Sequence, residues 1–81
     1  HEGLELAERF VGAVYAAFDR LTQMPEIGAP RRLGSPALAG LRAWPVPGFE
    51  RWLIFYIPTD TAVQIVRVLH GARDLPTILD S

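Results

Sequence analysis

Arg51-Trp52-Leu53-Ile54-Phe55-Tyr56-Ile57, Pro58-Thr59-Asp60-Thr61 and Ala62-Val63-Gln64-Ile65-Val66-Arg67-Val68-Leu69 form the stretch that decides the fold. Two runs rich in β-branched and aromatic residues flank a turn-forming tetrad, which predicts a hairpin. Upstream, residues 41–46 read as a further strand, with Pro45 pushing it toward an edge or a bend, and Pro47-Gly48-Phe49 as the turn after it. Sequential strands with short links predict an antiparallel meander. Before them, residues 4–24 place Ala7, Phe10, Val11, Val14, Ala17, Phe18 and Leu21 at three- and four-residue spacing, the signature of an amphipathic helix. Glu2, Glu5 and Glu8 favour its start, Glu5 and Arg9 are spaced as an i,i+4 pair, and Pro25 stops it. Residues 25–40 are rich in Pro, Gly and Ser and read as an ordered crossing loop, with a helical turn near Leu38 and Leu41. Residues 75–79 read as a terminal helical turn.

The chain has 81 residues, enough for one domain spanning residues 1–81. A domain this small buries only about 60% of its unfolded surface. Hydrophobic residues make up 49%, so either the core is dense or apolar surface is meant for another chain. Cysteine is absent, which fits a reducing cytoplasm, and neither a membrane-length apolar run nor a secretory leader is visible. The expectation is a soluble cytoplasmic protein. Net charge is −1, which provides no global basic field for nucleic acid. All eight basic residues are arginine, whose planar fork suits carboxylate and phosphate.

Arg67, His70, Arg73 and Asp74 crowd the end of the last strand. Plain alternation puts Ile65, Arg67 and Leu69 on one face and Val66, Val68 and His70 on the other. Arg67 reads either as a solvated structural residue or as an anchor for an acidic or phosphate group. His70 has a reference pKa suited to proton transfer, but a histidine at a strand end also serves as hydrogen-bonded structure. Asp74 before Leu75-Pro76 suits a helix cap. Trp52 and Phe55 fall on opposite strand faces, so both faces of the sheet are apolar; with a helix on one, the other calls for a second covering chain. Trp, Tyr and Arg are favoured interface anchors. The candidate partner-binding set is therefore Arg51, Trp52, Tyr56, Arg67, His70, Arg73 and Asp74. No phosphate loop, nucleophile elbow or metal-ligand spacing is present, so no cofactor and no metal are expected.

Gly48-Phe49-Glu50-Arg51-Trp52-Leu53-Ile54-Phe55-Tyr56 followed by Ile65-Val66-Arg67-Val68-Leu69-His70-Gly71-Ala72-Arg73-Asp74-Leu75 resembles the signature of the ParE branch of the RelE/ParE toxins, the toxin half of type II toxin–antitoxin (plasmid stabilisation) systems. Ala7-Glu8-Arg9-Phe10 and Met24-Pro25-Glu26-Ile27-Gly28 resemble that family's second helix and the break after it. The resemblance implies an α+β fold, a helix packed on a curved antiparallel sheet of three or more strands. Against that pattern the chain starts near the family's helical hairpin loop, lacking its first strand and first helix; poor stability alone is the expectation. It further implies a toxin that inhibits DNA gyrase by protein–protein contact and is neutralised by a cognate antitoxin, through which alone it would reach operator DNA. Two alternatives stay open. A RelE-like ribosome-dependent mRNA interferase would rely on Arg67, His70 and Arg73, although Leu53, Phe55 and Thr77 stand where those enzymes carry Arg and Tyr. An inactive relic would only bind antitoxin, as co-repressor.

Overall fold

A computed structural model of the chain describes residues 2–71. Helix α1, Glu2–Gln23, leads into β1, Ala29–Pro30, a 3-10 turn at Pro36–Leu38, then β2, Arg42–Val46, β3, Phe49–Pro58, and β4, Val63–His70. The strands form one antiparallel sheet in the order β1-β2-β3-β4, with α1 against one face. The fold is α+β, as expected. The anticipated loop at residues 25–40 also holds a strand, β1, because Ala29 and Pro30 pair with Ala43 and Arg42. The turn expected at residues 75–79 lies outside the described residues.

Each element has a local cause. The apolar stripe of α1 buries Ala17 and Leu21, with Phe10, Ala13, Val14 and Phe18 packed around them. The Met24 N–H still donates to the Arg20 carbonyl at 2.9 Å, and Pro25 ends the helix there. The expected Glu5–Arg9 ion pair is not formed; both side chains are exposed, where such a pair contributes little. The turn between β2 and β3 uses Gly48 at φ 84°, a left-handed conformation suited to glycine, and the Glu50 carboxylate accepts its N–H at 2.7 Å. Between β3 and β4 the Thr59 hydroxyl accepts the Ala62 N–H and donates to the Ala62 carbonyl, both at 3.0 Å.

The sheet carries a core on each face. On the helix side Val46, Ile54 and Tyr56 join Ala17 and Leu21. On the other side Leu38, Leu41, Ala43 and Phe55 are buried, with Leu33, Leu53, Ile57, Val66 and Leu69 around them. This corrects the expectation that one apolar face stands open for a second chain. Residues 31–40 cross that face as a strap, and Leu33 and Leu38 cover part of it.

A second correction concerns β4. Phe55 pairs with Arg67 but Tyr56 pairs with Ile65, so Val66 is an extra residue, a β-bulge. Val66 therefore packs on the strap side with Leu69, and Arg67 shares that side through its partner Phe55. Val63, Ile65, Val68 and His70 fall on the helix side. Plain alternation misplaces Ile65 and Val66 because it assumes an unbroken ladder.

Candidate functional site

The end of the β3–β4 hairpin sorts the candidate residues onto two faces. On the strap side, Leu53 lies directly opposite Leu69 and Phe55 opposite Arg67. Arg51 precedes Leu53 by two residues on the same face, and its carbonyl accepts the Gly71 N–H at 2.8 Å, closing the ladder. Gly71 leaves the strand at φ 77°. The half-buried Leu53–Leu69 pair thus lies between two arginine positions along the hairpin, Arg51 beyond one end and Arg67 beyond the other. At about 3.3 Å per residue, their backbone positions are roughly 13 Å apart along the strand. Both arginines are exposed. Arg31 and Arg32 in the strap add two further exposed or half-exposed cations. The arrangement is an apolar strip bordered by an arginine at each end, a character suited to a segment that carries acidic residues around apolar side chains.

On the helix side, Trp52 sits opposite His70, with ring centroids 5.0 Å apart at 66°. Phe10 of α1 meets Trp52 at 5.0 Å and Phe49 edge-on at 5.2 Å. With Gly3, Leu6 and Ala7 these rings line a shallow apolar groove of about 310 Å³. Trp44 lies nearby in the same core, and its indole N–H has no hydrogen-bond partner among the described residues.

The expected residues are therefore not one site. Arg51 and Arg67 face the strap side; Trp52 and His70 face the helix. Arg73 and Asp74 lie outside the described residues. Tyr56 corrects the expectation outright: it is 0% exposed, so its side chain cannot serve as an exposed anchor. For the nuclease alternative the consequence is chemical. Arg67 and His70 stand on opposite faces of β4, so the two do not converge on one face of the sheet.

Tyr56 belongs to a cluster that the sequence reading missed. Its hydroxyl accepts the Gly28 N–H and donates to the Pro25 carbonyl, both at 2.8 Å. Arg42 donates from one nitrogen to the carbonyls of Glu26, at 3.0 Å, and Gly28, at 2.6 Å. The Glu26 carboxylate lies 4.0 Å from Arg42 but is 85% exposed, so that ion pair adds little. The buried tyrosine and the arginine fix the turn after α1, and with it the point where the strap begins. Proline, glycine and tyrosine were each visible; that they meet was not, because Gly28 and Tyr56 are 28 residues apart.

Among the described residues no group of three or more His, Asp or Glu side chains could hold a metal ion. No described helix is long and apolar enough to cross a membrane. One helix on a four-stranded antiparallel meander, with an arginine-framed strip at the last hairpin, defines a small α+β domain of the RelE/ParE kind. The family of the ParE toxin of type II toxin–antitoxin systems, parDE, matches residues 1–75, and the chain belongs to it. No curated protein matches the chain, and no solved structure does.

Proposed function

We propose that this toxin-family chain acts by protein–protein contact, with DNA gyrase as its target, and that a cognate antitoxin neutralises it in the cytoplasm by covering the strip around Leu53 and Leu69. The observation that carries the reading is the divergence of Arg67 and His70. Phosphoryl transfer needs groups that converge on one phosphate, whereas binding needs only a surface. The arginine-framed strip suits an antitoxin segment with carboxylates around apolar side chains. Contact with operator DNA would then be made by the antitoxin.

The deciding assay is supercoiling of relaxed plasmid by gyrase with and without the chain. Accumulated gyrase-bound, cleaved DNA supports the proposal. Unaffected gyrase together with arrested growth points to the alternative, ribosome-dependent mRNA cleavage, which the exposed arginines on the strap side favour. Unaffected gyrase and unaffected growth point to a chain that only binds antitoxin. His70→Ala separates the first two: a nuclease relying on His70 loses activity by about 10²-fold or more, and a binding toxin loses little.

A further inference from the structure

A cleft of about 290 Å³ opens at the β1–β2 edge of the sheet, lined by Pro30, Arg31, Arg32, Gly40, Leu41 and Arg42. Arginine supplies half of that lining, and local structure holds two of the three. β1 pairs Pro30 with Arg42, and the Arg31 N–H extends the ladder by donating to the Leu41 carbonyl at 2.8 Å. The Arg42 guanidinium is held by one terminal nitrogen, Nη1, which donates to the Glu26 and Gly28 carbonyls. Those bonds leave its Nε and Nη2 hydrogens as further donors. Arg31 is half-buried and Arg32 exposed, and neither side chain is in an ion pair among the described residues. The carboxylate beside the cluster, that of Glu26, lies 4.0 Å from Arg42 and is 85% exposed, so water screens it. Three like charges around one cleft repel one another, and an anion seated among them removes that repulsion.

The lining says which anion fits. Leu41 is buried and no aromatic ring borders the cleft. It therefore offers neither an apolar seat for the side chains of an acidic peptide nor a face on which a base could stack. Guanidinium forks do match the oxygens of a phosphate group. β1 lies two strands from β3 and three from β4, roughly 10–14 Å at about 4.8 Å per strand, so the cleft is separate from the Leu53–Leu69 strip. We infer that the cleft formed by Arg31, Arg32 and Arg42 binds a backbone phosphate of nucleic acid. The contact is to phosphate and not to bases, so it adds affinity without sequence choice, and operator recognition stays with the antitoxin. The inference does not depend on which target the toxin has.

The probe is a fluorescein-labelled DNA duplex of about one helical turn and arbitrary sequence, read by fluorescence anisotropy with the chain at low salt. The duplex should bind, and log K should fall with log salt at a slope of about −0.9 for each phosphate contacted. Arg31→Gln with Arg32→Gln should weaken binding at least tenfold and make that slope shallower by about one or more. Arg9→Gln with Arg20→Gln removes the same charge from exposed positions of α1 and should change binding by less than about threefold. Both pairs of changes keep every backbone bond, and an unchanged urea midpoint verifies the fold. Arg42 stays in place because it also fixes the turn after α1. Inorganic phosphate and a glutamate-rich peptide, each at the duplex's own phosphate concentration, should displace little of it. The proposal is overturned if the duplex does not bind, if the two double variants weaken it equally, or if free phosphate or the acidic peptide displaces it. It is equally overturned if Arg51→Gln with Arg67→Gln removes binding that Arg31→Gln with Arg32→Gln leaves intact.

Discussion

Glycines 12 and 28 show how one residue type is used in two ways. Gly28 sits where the Tyr56 hydroxyl crosses the backbone: an added Cβ would lie 2.5 Å from that oxygen, 2.7 Å from Cε1 and 2.9 Å from the Ala43 carbonyl. Neither the buried ring nor the strand backbone can yield, so Gly28→Ala should lower stability by about 2 kcal/mol or more, read from the urea midpoint. Gly12 meets nothing within 4 Å and lies inside a helix, so Gly12→Ala should raise stability by about 0.5–1 kcal/mol. Tyr56→Phe tests the same latch from the other side. It leaves the buried Gly28 N–H without its acceptor at a cost of about 1–3 kcal/mol. A loss below about 0.5 kcal/mol would mean that water reaches the turn. The sequence marks Pro25 as the stop of the helix, which ends at Gln23, with Gly28 beyond that end in the turn. It did not reveal why the glycine must be bare, since the reason is a side chain on β3.

At the level of elements, hydrophobic periodicity located α1 and the three longer strands, because burial on one or both faces writes period 3.6 or period 2 into the chain. It failed at β1, a two-residue strand too short to carry a period, and at the bulge, which neither glycine nor proline marks. The bulge makes a testable difference. With Val66 on the strap side, a double-mutant cycle of Val66→Ala with Phe55→Leu should show coupling of about 0.5 kcal/mol or more, and the cycle with Ile54→Val almost none. Coupling to Ile54 instead would restore plain alternation. The strap is argued the same way. Leu38 is buried against the strap-side core, whereas the strap's backbone bonds at Leu38, Ala39 and Leu41 are internal to its own turn. Leu38→Ala should therefore cost about 2–3 kcal/mol and speed amide exchange across residues 33–40, with α1 unaffected at equal denaturant distance from its midpoint. The opposite faces of Arg67 and His70 are legible from alternation alone, but the burial of Tyr56 and the covering of the far face by the strap are not, because both depend on residues far apart in the chain.

The net charge of −1 hides a division across the molecule. On α1 the exposed Glu5, Glu8 and Asp19 are largely offset by the exposed Arg9 and Arg20, whereas Arg31, Arg32, Arg51 and Arg67 belong to the strap and its face of the sheet. Counting charge over the whole chain therefore understates the basic surface. The same division bears on stability. Both cores share one sheet, so helix and strap should unfold in one cooperative step, and the exposed Leu4, Val11 and Tyr15 contribute nothing to that step in the isolated chain. Helix ellipticity and the fluorescence of Trp44 and Trp52, which lie in the helix-side core, should therefore report the same melting midpoint. In Leu38→Ala both midpoints should fall together, by roughly 10–20 °C, since a loss of about 2–3 kcal/mol moves Tm by about 4–8 °C per kcal/mol in a domain of this size. A midpoint that moved for one probe alone would mean that the two cores, although they share a sheet, unfold separately.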